Sequence, residues 1–192
     1  MNILAHIYLS GDNQDLMIGN FIADHLKGNA IKEYNGDILK GVMLHRFIDE
    51  YTDSHAVVKL SKQRLYKSIG KYAPVVSDVY FDHFLAIYWE NYHPVPLEKF
   101  AENSYTFLHS KLEFLPERTQ LMLPYLIKYN WLVAYKSFEG LQQVFNGMNK
   151  RATFVSNMDI AVIALKEDYE LYEQEFHQFF PELQHAVSKF NY

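Results

Sequence analysis

The sequence contains no cysteine among its 192 residues, which excludes disulfide bonds, thiolate metal ligands and a cysteine nucleophile. The absence of thiols suits a reducing compartment. Residues 1–15 lack lysine, arginine and a long apolar run, so they do not resemble a secretory signal. No apolar stretch reaches the roughly 18 residues that a membrane-spanning helix requires. We therefore expect a cytoplasmic protein that does not associate with membranes.

Glycine and proline are also scarce, with 8 and 6 residues, and turn signals between alternating apolar runs are few. Apolar residues instead recur at spacings of three and four, as at Leu39, Val42 and Met43, which is typical of helices. We predict an all-α fold, a single-domain helical bundle over residues 1–192, in which Pro124 kinks or shortens its helix. The predicted helices are 13–27, 36–52, 55–71, 75–91, 97–113, 117–137, 139–149, 156–176 and a short one near 181–190.

Positive charge is in deficit, since 18 Lys and Arg face 23 Asp and Glu and the formal net charge is −5. A protein that binds nucleic acid is usually basic or carries a basic stripe, so we expect no nucleic-acid partner. The composition is otherwise that of a globular protein, with 49% hydrophobic residues. A chain of this length can bury a substantial core without disulfide bonds.

Imidazole and carboxylate side chains recur at helical spacing in the first half of the chain. His45 and Asp49 are four residues apart, as are Asp78 and Asp82, so each pair lies on one face of a helix, and His83 adjoins the second pair. These are the ligands that Mn, Fe, Zn and Mg ions use, and helical bundles build such sites from inward-facing side chains. The pattern predicts a metal site. Further polar residues that could belong to this site or lie beside it are His6, Asn20, Asp24, Arg46 and Asp53.

Spacing alone does not exclude a purely structural role for the same residues. A single histidine in an apolar stretch is often a hydrogen-bonded core residue, and a His–Asp pair on one helix face is often a surface pair. Arg46 offers a planar fork for phosphate oxygens beside a metal site. It is equally compatible with a salt bridge to Asp49 or Glu50.

Several ordered blocks resemble a known family. The blocks are MNILAH at 1–6, GNFIAD at 19–24 followed by Gly28-Asn29, GVMLHRFID at 41–49 continuing to Thr52-Asp53, Asp78 with DHFL at 82–85, NGM at 146–148 and the aromatic segment 176–181. Together they resemble the acyl carrier protein phosphodiesterase family nearly from end to end. No block is specific by itself, but the ordered set is.

The resemblance implies an all-helical fold distantly related to the HD-type metal phosphohydrolases. It also implies hydrolysis of the phosphodiester that joins 4′-phosphopantetheine to a serine of holo-acyl carrier protein, with Mn²⁺ or alternatively Mg²⁺, Fe²⁺ or Zn²⁺ as cofactor. The His-Asp dipeptide that names the HD group is absent, and Asp-His occurs instead at Asp24-His25 and Asp82-His83. The individual ligands and the number of metal ions therefore stay open.

A working hypothesis assigns a role to each candidate. The expected metal ligands are His6, Asp24, His45, Asp82 and His83. Arg46 is expected to stabilise charge on the phosphoryl oxygens. Either Asp49 or Asp78 is expected to protonate the departing serine oxygen if burial raises its pKa. Asn20 and Asp53 are expected to orient the ligands.

A basic segment offers a docking surface for an acidic carrier protein. Residues 59–71 contain five cations and no acid, and Val58, Leu65 and Ile69 share the face opposite Arg64 and Lys67. We predict that this helix packs by its apolar face and presents its cations to the carrier. A solvated basic face without a partner is the alternative. The predicted docking cations are Lys59, Lys62, Arg64, Lys67 and Lys71.

Two other functions fit the same residues. A metal-dependent phosphohydrolase that acts on a nucleotide or another small phosphodiester would use the same site. A non-catalytic helical bundle that binds a metal or a protein would show no turnover. A di-iron bundle fits less well, because its Glu-x-x-His spacing occurs only at Glu90–His93 and Glu182–His185, beside prolines at predicted helix ends.

Overall fold

The computed structural model describes residues 1–190, and this part of the chain contains eleven α-helices and no β-strand. The all-α prediction is therefore confirmed, whereas the distant relation to HD-type enzymes stays a prediction. No helix in residues 1–190 combines the length and apolar character needed to cross a bilayer. The helices are α1 (Ile3–Leu9), α2 (Gln14–Ile22), α3 (Gly36–Ser54), α4 (Ala56–Ile69), α5 (Ala73–Ile87), α6 (Leu97–Ser110), α7 (Glu117–Lys128), α8 (Trp131–Ala134), α9 (Phe138–Arg151), α10 (Ala161–Glu167) and α11 (Tyr169–Ser188).

Helices α2 and α3 approach each other unusually closely, because each has a glycine at the contact. A Cβ atom on Gly19 would lie 1.9 Å from the carbonyl oxygen of Ile38, and one on Gly41 would lie 2.2 Å from that of Leu16. Any larger residue would force the two backbones apart. This contact sets the distance between Asn20 and His45, each of which lies within a turn or so of a glycine.

Helix α5 forms the centre of the hydrophobic core. Most of its residues are buried, as expected for a helix that is apolar on nearly every side. It packs against α1, α4 and α11. Phe81 and Phe84 of α5 contact Phe176 and Phe179 of α11, so aromatic rings fill much of the space between these helices. The same helix also carries Asp78, Asp82 and His83.

The predicted helix positions agree with the structure through most of the chain, with four exceptions. Helix α1 was missed because it has only 7 residues. The predicted helix 117–137 is interrupted at Asn130, which has a left-handed backbone with φ of 45°. Segment 156–176 is divided between α10 and the start of α11. Pro181 does not separate two helices but lies inside α11, whose buried aromatic face outweighs the lost backbone hydrogen bond.

Candidate active site

Helices α1, α2 and α3 bring five of the predicted polar residues together. Helix α1 contributes His6, α2 contributes Asn20, and α3 contributes His45 and Asp49 one turn apart. Asp24 follows in a short 3₁₀ segment, Ala23–His25, directly after α2. The two histidines and Asn20 are buried, whereas Asp49 is partly exposed and Asp24 is largely exposed.

Asn20 holds both imidazoles in one orientation. Its Oδ1 atom accepts from His6 Nδ1 at 2.7 Å, and its backbone oxygen accepts from His45 Nδ1 at 2.8 Å. Its own amide nitrogen donates to the backbone oxygen of His6 at 2.8 Å and to Ser10 Oγ at 3.0 Å. Because both histidine partners are carbonyl oxygens, we infer that each ring carries its proton on Nδ1. The Nε2 atoms then present lone pairs.

Those Nε2 atoms face the same carboxylate. Asp49 Oδ1 lies 3.2 Å from His6 Nε2, and Asp49 Oδ2 lies 3.1 Å from His45 Nε2. Asp24 Oδ1 also lies 3.2 Å from His45 Nε2. The two rings stack with centroids 4.1 Å apart, and one ligand atom from each of His6, His45 and Asp49 lies within 4.8 Å of the others. Several lone pairs thus converge on one small volume, which requires a proton or a cation between them.

The electrostatics of the cluster agree with this geometry. Burial lowers the pKa of His6, so this ring is neutral near pH 7. Burial also opposes the charge of His45, but hydrogen bonds and attraction from Asp24 and Asp49 outweigh it and raise the pKa of His45 to about 9. Burial would raise the pKa of Asp49, yet both histidines together hold it well below its usual range. Without a metal, the protonated His45 ring supplies the positive charge that the two carboxylates require.

The cluster opens into a cavity of about 400 Å³. Its polar lining includes Asp53 and Asp78 in addition to the five clustered residues. The rest of the lining is largely apolar and comes from both halves of the chain. These further lining residues are Met1, Asn2, Ile3, Phe21, Pro74, Val75, Met122, Trp131, Tyr135, Val144, Met148 and Arg151.

Asp78 also lines this cavity, and its pKa is shifted upward from the usual value, whereas that of Asp49 is shifted downward. Burial is the strongest influence and raises the pKa of Asp78, whereas the Met1 amino nitrogen, 3.1 Å from Oδ1, acts in the opposite direction. Of the two acids proposed from sequence, Asp78 therefore retains a proton more readily. Asp49, whose pKa is lowered by the two histidines, is the weaker proton donor of the two acids.

The structure corrects the predicted ligand roles of Asp82 and His83. Both are buried in α5, but neither lines the cavity. The carboxylate of Asp82 accepts from the backbone N–H groups of Asn2 at 3.1 Å and Leu4 at 2.8 Å, so it caps the start of α1. His83 Nδ1 donates to the backbone oxygen of Tyr135 at 2.6 Å. The other ring nitrogen of His83, Nε2, lies 3.2 Å from Tyr169 Oη. Groups of the protein therefore pair with the atoms that were expected to bind the metal.

The positions of Arg46 and Asp53 on α3 differ from their predicted roles. Arg46 is exposed and does not line the cavity, since neighbouring residues on a helix project about 100° apart and His45 faces inward. Asp53 does line the cavity, but its carboxylate pairs with Lys62 Nζ rather than with the histidines. The expected contribution of Asp53 to ligand orientation is therefore replaced by an ion pair at the cavity edge.

The basic segment is only partly available for docking. Val58, Leu65 and Ile69 are buried, as the helical pattern predicts. Lys62 is also buried, against Asp53. The Arg64 guanidinium donates to both carboxylate oxygens of Glu175, at 2.6 and 3.0 Å. Lys62 and Arg64 therefore form ion pairs within the protein and are not available to a carrier, which corrects their predicted role. Lys59, Lys67 and Lys71 are exposed.

Sequence reasoning missed the residues that line the cavity from the second half of the chain. Trp131 of α8 and Val144, Met148 and Arg151 of α9 are the clearest cases. A spacing of four and then three residues places the α9 side chains on one helix face, which was a usable signal. Nothing in the sequence linked that face to the histidines, because the contact joins elements about 100 positions apart.

Comparison with known proteins gives a consistent result. A family model described as acyl carrier protein phosphodiesterase matches residues 1–183. Proteins named acyl carrier protein phosphodiesterase are similar over nearly the whole chain. The one from Enterobacter sp. (strain 638) is 32% identical and covers 95% of each chain, and the one from Escherichia coli O6:H1 is 30% identical and covers 98% of each. The protein from Photorhabdus laumondii is 29% identical over 94% of this chain and 92% of its own. No solved structure matches significantly.

Proposed function

From the premise that this chain belongs to the acyl carrier protein phosphodiesterase family, we propose that its cavity hydrolyses the phosphodiester between 4′-phosphopantetheine and a serine of holo-acyl carrier protein. The products are the apo-carrier and free 4′-phosphopantetheine. The single observation that supports a phosphodiester site here is the convergence of His6, His45 and Asp49 on one point inside the cavity.

The same three residues are the proposed ligands of a divalent metal ion, with Asp24 beside them as a further oxygen donor. Two imidazoles and a carboxylate suit Mn²⁺, Fe²⁺ or Zn²⁺, and Mn²⁺ is our first choice. The donor set fits an ion because Asn20 fixes both rings with their lone pairs inward. When bound, the ion lowers the pKa of a water molecule and so supplies hydroxide near neutral pH.

Charge provides a second argument for a cation. The carboxylates of Asp24 and Asp49 line the cavity beside the two histidines, whereas Asp53 is already paired with Lys62. A phosphodiester carries a negative charge, so Asp24 and Asp49 would repel it unless positive charge offset them. A divalent ion among the ligands reverses the local sign and makes the cavity attractive to phosphate.

Asp78 is the proposed general acid. The departing serine oxygen requires a proton, and burial raises the pKa of the Asp78 carboxyl group, which favours its protonated form. Asp78 lies on α5, whereas the histidines lie on α1 and α3, and all three residues line the cavity. An Asp78→Asn variant should keep its metal and lose about 10²-fold or more in kcat. Unchanged kcat would exclude this role.

Carrier docking is proposed for the exposed cations of α4. A second cavity, of about 320 Å³, includes Lys59 and Tyr66 in its lining and shares Asp53 and Pro74 with the first. An acidic carrier docked over Lys59 and Lys67 would lie beside the entrance to the metal cavity. Such charges act mainly on the association rate, and salt weakens them.

The docking proposal is tested by reversing Lys59 and Lys67 to Glu and measuring KM for holo-carrier at low and high salt. Lys189→Glu, at the far end of the chain, is the matched charge control. We expect the double variant to raise KM several-fold at low salt only. An unchanged KM at low salt would exclude docking on α4 and leave the hydrolytic site untouched.

The reaction itself is tested by the mass of purified holo-acyl carrier protein after incubation with this protein and Mn²⁺. We expect loss of the 4′-phosphopantetheine mass, abolished by a chelator and by His45→Ala. His83→Gln is the matched control, because His83 is equally buried but lies outside the cavity. If the carrier mass is unchanged with several divalent ions, the carrier is not the substrate, and small phosphodiesters become the next compounds to test.

A further inference from the structure

Arg151, at the end of α9, lines the same cavity as the cluster of His6, His45 and Asp49. We propose that Arg151 binds the phosphate group of the substrate, and that Arg46, the residue next to His45 in the sequence, does not. The proposal rests on the hydrolytic function above and names the residue that positions the phosphodiester. Among the described lining residues, Arg151 is the sole lysine or arginine.

The guanidinium is held in place without using its hydrogen-bond donors. Its carbon lies 5.3 Å from the ring centroid of Trp131, a contact that orients a cation and leaves its N–H groups free. No carboxylate in residues 1–190 lies within ion-pair distance of it. Arg64 is the opposite case, because Glu175 occupies its fork. A planar fork with free donors matches the spacing of two phosphate oxygens.

The apolar surroundings of Arg151 fit the rest of the ligand. Val144, Met148 and Arg151 line the cavity as one stripe of α9, at spacings of four and three residues. Trp131 and Met122 add to the same apolar wall. A ligand with a phosphate at one end and a long uncharged arm therefore meets the cation and the apolar surface on one helix face. 4′-Phosphopantetheine has this form.

The other cations near the cavity are excluded by their positions or contacts. Arg46 does not line the cavity, and the Met1 amino group, which does, pairs with Asp78. Lys62 is buried in an ion pair with Asp53. Lys59 lines the neighbouring cavity rather than the one that contains the histidines. With carboxylates in the lining, Arg151 is the residue that complements a metal ion in attracting a phosphodiester.

The test compares binding of free 4′-phosphopantetheine and of pantetheine, which lacks the phosphate, to the wild-type protein and to Arg151→Gln. Calorimetry is run once with chelator and once with Mn²⁺, so that binding is measured apart from turnover. We expect the wild type to prefer the phosphorylated ligand, and Arg151→Gln to lose about 10-fold of that preference while binding pantetheine equally well. Lys150→Gln, an exposed cation next in sequence, should change neither affinity.

Kinetics on holo-carrier completes the test and separates the two proposals. Arg151→Lys should recover part of the activity lost in Arg151→Gln, since a point charge replaces the fork incompletely. Equal preference for the phosphorylated ligand in Arg151→Gln and wild type would overturn the proposal. A higher KM for holo-carrier with unchanged binding of 4′-phosphopantetheine would also overturn it and assign Arg151 to the carrier surface. Arg151-dependent phosphate binding in a protein that does not hydrolyse holo-carrier would refute the proposed function and support this inference.

Discussion

Two His–Asp groups in the first half of the chain have similar residues and opposite surroundings. His45 and Asp49 on α3 direct their nitrogen and oxygen atoms toward His6 and the cavity. Asp82 and His83 on α5 direct theirs toward backbone N–H and C=O groups inside the protein. The histidine of each group is buried, so burial of the imidazole alone does not distinguish the two groups.

The difference lies in what completes the hydrogen bonds. Backbone groups already pair with Asp82 and His83, and these bonds stabilise the fold. In the α3 group, Asn20 pairs with one nitrogen of each ring and leaves the other facing a carboxylate. Buried polar atoms that face one another without a donor indicate a ligand site better than buried polar atoms in general.

The largest effect is expected from making the same substitution in both regions. Asp49→Asn should lower kcat on holo-carrier by about 10³-fold and reduce the bound metal, because it removes a charged ligand. Asp82→Asn should leave kcat within about threefold and lower the free energy of unfolding by about 1–2 kcal/mol, because one backbone N–H loses its acceptor. Metal content, kcat and urea unfolding are measured for both. Equal loss of metal in the two variants would remove the distinction between the regions.

The next effect concerns stability in acid. Burial lowers the pKa of His83 to about 4, below the 6.5 of an unfolded chain. Between these values the unfolded state binds the extra proton, so stability falls as pH decreases from 6.5 to 4, by about 3 kcal/mol. His83→Gln should flatten this part of the stability curve, and the exposed His109→Gln should not. Urea unfolding at several pH values measures it, and parallel curves for His83→Gln and wild type would contradict the assignment.

A smaller effect is expected from the residue that orients the rings. Asn20→Ala removes the acceptor of His6 Nδ1 and leaves in place the Nε2 atoms of both rings, which are the proposed ligand atoms. Metal affinity should fall by about 10- to 100-fold, as for other residues that orient ligands. Ser10→Ala, which removes another partner of Asn20, is the control and should have little effect on affinity. A metal titration followed by calorimetry decides, and wild-type affinity in Asn20→Ala would show that the rings are oriented without it.

Several features were predictable because they depend on local sequence. Helical spacing predicted α2 to α5 and the buried face of α4, where Val58 and Leu65 are fully covered. The ordered blocks predicted the family. The same reasoning failed at Pro181 and Asn130, where packing and a left-handed residue decided the helix ends. It also failed for Arg46, since a neighbouring position in sequence projects away from the cavity.

By itself, the sequence determined the helical class, the family and the set of polar residues from which the site is built. Only the tertiary structure decided which members of that set meet. Helical spacing states which side chains share a face, but the direction of that face depends on how helices pack. Here the close contact at Gly19 and Gly41 brings Asn20 to His45, and the burial of α5 turns Asp82 toward the start of α1. The packing of α9 against α8 and α10 places Arg151 at the cavity, although sequence spacing alone does not link it to the histidines.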